Sequence, residues 1–161
     1  MRIYLFRHGE KEQSFVSNPG LTLRGKSQAL NISKAAEQGQ FQKPDRIYSS
    51  PKIRALQTLQ PLAETFMLDL YPIDDLEERH SSEPASLFSQ RVQNYLQWVG
   101  TQTGVIYLCT HLDWIEEALA FIPSDSDLGH EKYHVWGSAQ FMEFDVQDGI
   151  WHLLQFGRIE T

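Results

Sequence analysis

The pattern of apolar positions predicts several short strands. Residues 3–6 and 105–109 are continuously apolar, and runs of this length are typical of strands that are buried on both faces of a sheet. Residues 46–49 follow a proline and an aspartate and are predicted as a third strand, and residues 70–73 as a short further one.

Between these strands, apolar side chains recur every three or four positions, which is the spacing of one helix face. Four such stripes predict four helices: Gly25, Ala29, Ile32, Ser33 and Ala36; Ala55, Leu59, Leu62, Ala63 and Phe66; Phe88, Val92, Tyr95, Leu96 and Val99; and Ile115, Ala118, Leu119 and Ile122. Pro84 precedes the third stripe. Pro61 lies inside the second, where we expect a kink or a restart.

The C-terminal part of the chain has a different pattern of apolar positions. Residues 140–146 and 150–156 flank Asp148 and Gly149, a combination that predicts a β-hairpin. Strands that alternate with helices, followed by a hairpin, predict an α/β fold with helices on both faces of a mostly parallel sheet and an antiparallel edge. We expect residues 1–161 to form one domain.

Charge and cysteine content narrow the function. The formal net charge of −7 argues against nucleic acid or an anionic membrane as partner, because both favour basic surfaces. Cys109 is the only cysteine and lies in an apolar run, so we interpret it as a packing residue of a cytoplasmic protein. No segment has the pattern of a signal peptide or a membrane span.

The candidate chemistry begins at the predicted end of the first strand, with Arg7-His8-Gly9-Glu10. His111 follows the strand at 105–109 in the same way. In α/β sheets, ligands collect beyond the carboxyl ends of the strands, so we expect both histidines at one edge. A neutral imidazole can attack phosphorus directly and form a phosphoenzyme.

Phosphoryl transfer by a histidine also needs cations and an acid. Arg7 is adjacent to His8, and Arg54 stands at the predicted start of a helix, where an anion is favoured. Glu78 is the candidate acid for the leaving group, although Glu77 and Glu83 are close in sequence. The remaining histidines show no metal-ligand spacing, so neither a metal nor another cofactor is predicted.

Five segments, in order, resemble the histidine phosphatase superfamily of phosphoglycerate mutase-like proteins. They are Arg7-His8-Gly9-Glu10, residues 21–29, residues 49–58, residues 76–80 and Thr110-His111. The resemblance implies a phosphoglycerate mutase-like three-layer sandwich. It also implies that His8 is the nucleophile, that Glu78 is the general acid and that Arg7, Arg54 and His111 bind the phosphoryl group. Gly9 would let the backbone approach the phosphate.

Two positions depart from the family pattern. Ser14 stands where mutases carry an asparagine, so a phosphate contact is assigned to it only by position. Leu112 replaces the glycine that follows the second histidine in many members, and in this respect and in length the chain is similar to bacterial phosphohistidine phosphatases. Those proteins tend to lack an acid that matches Glu78.

Three functions follow from these residues. The first is a metal-independent phosphatase for phosphomonoesters or phosphoamidates, on a phosphorylated small molecule or protein. The second is a mutase that returns the phosphoryl group to its substrate, and the third a weakly active phospho-ligand binding protein. Residues 79–83 and 100–104 are too short for a lid, and the polar loop at 123–132 is small, so we predict an open pocket. The sequence does not predict an oligomeric state.

Overall fold

A computed structural model describes residues 1–159. Six strands form one sheet in the order β3-β2-β4-β1-β5-β6. The strands are β1 (Arg2–Arg7), β2 (Arg46–Ser49), β3 (Leu70–Pro72), β4 (Val105–Thr110), β5 (Gln140–Gln147) and β6 (Ile150–Arg158), and the helices are α1 (Leu23–Glu37), α2 (Ile53–Phe66), α3 (Ala85–Gly100) and α4 (Leu112–Leu119). Single 3₁₀ turns cover Asp74–Leu76 and Glu131–Tyr133.

Four neighbouring strands, β3, β2, β4 and β1, run parallel, while β5 is antiparallel to β1 and to β6. The predicted mixed α/β fold with an antiparallel edge is therefore confirmed. Arg7 at the end of β1 pairs with Thr110 at the end of β4. The residues that follow these two strands consequently emerge side by side at the same edge of the sheet.

Alternate residues of the buried strands face two separate cores. Ile3 and Leu5 pack with α3 and α4, whereas Tyr4 and Phe6 pack with α1 and α2. The two helix pairs thus cover opposite faces of the sheet and produce three layers. A strand that packs on both faces has a continuous run of apolar residues in its sequence, which explains the pattern of residues 3–6.

Some boundaries differ from those expected. α2 runs through Pro61 as one helix without restarting. β3 ends at Pro72, one residue earlier than predicted, and a 3₁₀ turn follows. The hairpin turn has positive φ at Asp148 and Gly149, as two-residue turns of this kind require. Among residues 1–159, no helix combines the length and the apolar character needed to cross a membrane.

Candidate active site

Five of the predicted site residues, Arg7, His8, Arg54, Glu78 and His111, meet near the ends of β1, β2 and β4. His8 follows β1 and His111 follows β4, and the centroids of their rings are 5.3 Å apart. The backbone joins the strand ends, because His8 N–H donates to Thr110 O at 3.1 Å and Ser50 N–H donates to Cys109 O at 2.9 Å. Three strand ends therefore form one rigid platform under the two imidazoles.

The ring of His8 is oriented from both sides. Its Nδ1 lies 2.8 Å from Gly9 O, a pure acceptor, so Nδ1 carries the proton. Nε2 faces Arg54, whose Nε donates to it at 3.3 Å. Burial, opposed by the hydrogen bond to Gly9 O and reinforced by the nearby Arg54, lowers the pKa of His8 to about 4. His8 is thus a neutral imidazole with its Nε2 lone pair directed into the site.

His111 is held in a similar way by different partners. Its Nε2 lies 2.8 Å from Ser50 Oγ, and Nη2 of Arg54 lies 3.3 Å from its Nδ1. Burial, together with the proximity of His8 and Arg54, holds the pKa of His111 far below the usual range of histidine. Ser50 is fully buried, which leaves His111 little freedom to rotate.

Two arginines approach the histidines. Arg54, the second residue of α2, is only 5% exposed and contacts both rings. Arg7 at the end of β1 donates to Trp136 O, while its buried Nε has no partner among residues 1–159. A guanidinium with an unused buried N–H is suited to binding an oxyanion.

Glu78 closes the cluster from the loop after β3. Its Oε2 lies 2.8 Å from Nη2 of Arg54 and 3.9 Å from Nδ1 of His111, and its side chain is 37% exposed. Glu77 instead directs its carboxylate to His80, 2.6 Å away, and Glu83 pairs with Arg91. Of the three acidic candidates, the structure therefore brings Glu78 to the histidines.

Gly9 and Ser14 are placed differently from the other candidates. Gly9 N–H donates to Thr58 Oγ1 at 2.8 Å, and a Cβ on Gly9 would lie 3.1 Å from Gly25 O. Its lack of a side chain therefore serves close packing against α1, and its N–H is already used. Ser14 lies in an exposed loop and accepts a hydrogen bond from Val16 N–H, outside the cleft. Phosphate contacts from these two residues stay predictions.

Three positioning residues were missed from the sequence. Thr58 connects Gly9 to the backbone of α2, since its hydroxyl donates to Arg54 O at 2.7 Å. Ser50 holds His111. Arg91 on α3 donates to the carbonyls of Asp75, Glu77 and Glu78 at 2.8 to 3.2 Å and so fixes the loop that carries the acid. Thr58 and Ser50 lie in a segment that carried the resemblance, but Arg91 had no local signal.

The cluster lines a cleft of about 290 Å³ at this edge of the sheet. Its lining residues are Arg7, His8, Lys11, Arg54, Glu78, His111, Leu112, Asp113 and Glu116. The loop at 123–132 contributes nothing to this lining and packs along β6 instead, through Ser124 and Trp151. Within the described chain, no group of three or more histidine, cysteine, aspartate or glutamate side chains is arranged to hold a metal ion.

A comparison with protein families matches residues 3–105 to the histidine phosphatase superfamily, branch 1. The chain belongs to that superfamily. The matched segment contains Arg7, His8, Arg54 and Glu78, so four of the clustered side chains lie within the family's own region. A search of curated proteins returned no match.

Solved structures of other members share this fold along nearly the whole chain. The protein histidine phosphatase SixA, complexed with tungstate, has a TM-score of 0.72 at 16% identity, with 98% of this chain and 97% of that one covered. A protein provisionally called the phosphohistidine phosphatase SixA from Agrobacterium tumefaciens has a TM-score of 0.73 at 25% identity and 96% coverage of both chains. A phosphoserine phosphatase mutant from Entamoeba histolytica, in complex with phosphoserine, has a TM-score of 0.73 at 19% identity, with 97% and 96% covered. The superfamily and these phosphatases support phosphatase activity.

Proposed function

We propose that this chain is a metal-independent phosphatase that hydrolyses phosphomonoesters or phosphoamidates through a phosphohistidine on His8. The observation that carries the proposal is the orientation of His8. Its protonated Nδ1 is fixed on Gly9 O, and its unprotonated Nε2 faces Arg54 and His111. A nucleophile needs an unprotonated nitrogen at the operating pH, and the lowered pKa of His8 keeps Nε2 unprotonated.

In the first step, Nε2 of His8 attacks phosphorus while the bond from phosphorus to the leaving oxygen or nitrogen breaks. Positive charge develops on the imidazole, and the hydrogen bond from Nδ1 to Gly9 O stabilises it. Arg7 and Arg54 would bind the equatorial oxygens, where negative charge is spread in the transition state. In the second step, water attacks phosphorus, the bond to Nε2 breaks, and inorganic phosphate leaves.

Glu78 would supply the proton for the leaving group. Its carboxylate accepts a hydrogen bond from Nη2 of Arg54. A bound phosphoryl group would compete for that guanidinium and place negative charge beside Glu78, which favours its protonated form. The acid could then protonate the leaving atom and, as a carboxylate, take a proton from the attacking water.

The charges that line the cleft give less support to the mutase hypothesis. The three cationic side chains that line it, Arg7, Lys11 and Arg54, are matched by the carboxylates of Glu78, Asp113 and Glu116. A substrate with a phosphate and a second anionic group would need spare cations for the second group. A weakly active binding protein would not need both an oriented nucleophile and an acid. Both alternatives stay open to the assays below.

Trapping the intermediate tests the proposal. The protein is mixed with ³²P-labelled substrate, quenched in base and digested, and the label should map to His8 as an acid-labile, base-stable phosphoramidate. Label on a serine, or full activity in H8A, would refute it. EDTA should leave turnover of p-nitrophenyl phosphate unchanged. Absence of turnover would favour the binding protein, and transfer between phosphoglycerates the mutase.

We also propose a cytoplasmic location, on the basis of the single buried Cys109, whose thiol has its pKa raised by burial. A phosphorylated small molecule and a phosphorylated protein side chain both fit an unroofed cleft. A screen against both classes tests the breadth of the activity. We expect weak, broad hydrolysis of small phosphomonoesters, because few contacts beyond the phosphate are available.

A further inference from the structure

Two carboxylates of the cleft, Asp113 and Glu116, are not used by the proposed chemistry. Asp113 accepts backbone hydrogen bonds from Arg79 N–H at 2.9 Å and from Trp114 N–H at 2.7 Å. Glu78 pairs with Arg54. Glu116 lines the same cleft, is exposed, and makes neither a hydrogen bond nor an ion pair within the described part of the chain. It is therefore the carboxylate that a ligand can reach without displacing a partner.

The position of Glu116 relative to the histidines is set by α4. His111 is the residue before this helix, and Leu112 and Glu116 are four positions apart and both line the cleft. Residues at this spacing share a helix face and lie about 6 Å apart along the axis, slightly more than one turn. A group that extends from the phosphoryl site along α4 thus meets the apolar side chain of Leu112 first and the carboxylate of Glu116 next.

Charge in the cleft favours a cation at that place. Burial and the nearby Arg158 lower the pKa of Arg7, and Glu116 opposes this effect, so its negative charge reaches the phosphoryl site. A bound phosphate dianion adds further negative charge to a cleft whose cations and carboxylates are already balanced. A positive group on the substrate offsets this excess, whereas a second anionic group increases it.

We propose that the preferred substrates are small phosphomonoesters in which a short apolar linker ends in a cationic group, with the linker on Leu112 and the cation on Glu116. This inference rests on the proposed function and deepens it. The spacing along α4 fits a linker of about two to four carbons. A phosphate with a linker of this length and a terminal cation fits a cleft of about 290 Å³.

Matched substrate pairs test the proposal. Each ω-aminoalkyl phosphate is compared with the n-alkyl phosphate of equal length, and the ratio of their kcat/KM values is the readout. The wild-type protein should favour the amine about three- to five-fold, the range of an exposed ion pair, and the preference should shrink as salt is added. E116Q should bring the ratio close to one. E116K should lower the ratio below one, and it should favour ω-carboxyalkyl phosphates over the n-alkyl phosphates of equal length.

Glu117 provides the matched control, since it is the next residue on α4 and does not line the cleft. E117Q should leave the ratio as in the wild type. A uniform change on amine and alkyl substrates in E116Q would overturn the proposal, because Glu116 would then act only through Arg7. Turnover of p-nitrophenyl phosphate, which has no cation, tests phosphatase activity separately. If turnover is absent, the ratio of dissociation constants for the same pairs, measured by calorimetry, decides the role of Glu116.

Discussion

The buried base of the cleft and its acidic rim are held in different ways. His8, Arg54 and His111 are between 3% and 6% exposed and contact one another, and Thr58 and Ser50 hold them from below. Glu78 is 37% exposed on its side chain and stands on a loop that α3 holds through backbone carbonyls. The base is held by buried contacts on all sides, whereas the loop of the rim is held by hydrogen bonds from a few side chains, among them Arg91 and Trp114.

This difference separates two tasks. The buried cluster presents a neutral nucleophile and fixed cations to any phosphoryl group, and substitutions there should affect all substrates alike. The rim contacts the leaving group and the rest of the substrate, so substitutions there should affect substrates unequally. The ratio of the losses on alkyl phosphates and on p-nitrophenyl phosphate measures this difference for each substitution.

The largest effect is expected at the nucleophile. H8A removes the atom that attacks phosphorus, and it should lower kcat at least on the order of 10⁴-fold, as loss of a nucleophile does in other hydrolases. The loss should be equal for p-nitrophenyl phosphate and for alkyl phosphates, measured by release of inorganic phosphate. H134Q, at an exposed histidine, is the matched control. Unequal losses in H8A would contradict a shared covalent step.

The second effect is expected at Glu78 and should depend on the substrate. A general acid matters in proportion to how much the leaving group needs a proton. E78Q should therefore lower kcat on alkyl phosphates by about 10²–10⁴-fold and on p-nitrophenyl phosphate far less. E77Q serves as control, because the Glu77 carboxylate contacts His80 instead. Equal losses on both substrates would show that Glu78 is not the general acid and has only a binding or structural role.

The buried base of the cleft could be predicted from the sequence, whereas the contacts of its rim could not. Strands and helices were predictable because buried faces leave periodic traces, and the meeting of His8 and His111 followed from two strand ends at one edge. Arg91 was not predictable, because it acts on carbonyls 13 to 16 positions away and carries no local pattern. The free carboxylate of Glu116 was also missed, since exposure and missing partners are properties of the folded chain.

Gly9 and Pro61 show two further limits. The sequence predicts a need for glycine at position 9, but only the fold shows that a Cβ there would also lie close to Gly25 O. Pro61 lacks the N–H that a helix interior uses, yet α2 continues through it, with Leu59, Leu62 and Ala63 packed in the core. Tertiary packing can outweigh a local preference of about 3 kcal/mol, which sequence reasoning cannot weigh.

The third prediction concerns the stability of the buried base against acid. The pKa of His8 is about 4 in the folded protein and about 6.5 in an unfolded chain, so between these values the unfolded state binds more protons. Stability is therefore full above about pH 6.5 and falls as pH decreases toward 4, by up to about 3 kcal/mol from His8 alone. His111 acts in the same direction. Urea unfolding at several pH values measures this.

H8Q cannot take up this proton and should lose stability less steeply below pH 6.5 than the wild type. H134Q, which changes an exposed histidine, should keep the wild-type slope. A wild-type free energy of unfolding that stays constant from pH 7 to pH 4.5 would show that the buried imidazoles are not neutral in the folded state.

The smallest effect is expected at the support of the rim. Arg91 donates to Asp75, Glu77 and Glu78 carbonyls and pairs with Glu83, whose pKa it holds near 2. R91M keeps much of the side-chain length but removes these contacts, and it should lower kcat/KM on alkyl phosphates about tenfold, because the acid is held less well. The free energy of unfolding should fall by about 1–3 kcal/mol. p-Nitrophenyl phosphate should respond much less.

A double variant distinguishes a positioning role of Arg91 from a purely structural one. If Arg91 acts through Glu78, then R91M in the E78Q background should cause little further loss on alkyl phosphates, since the acid it positions is already absent. Additive losses would mean that Arg91 supports the site by another route. R46M is the matched control for stability, because Arg46 pairs with Gln102 at the opposite end of the sheet and is exposed. A loss in R91M confined to stability, with unchanged kcat/KM on both substrates, would show that the rim holds Glu78 without this arginine.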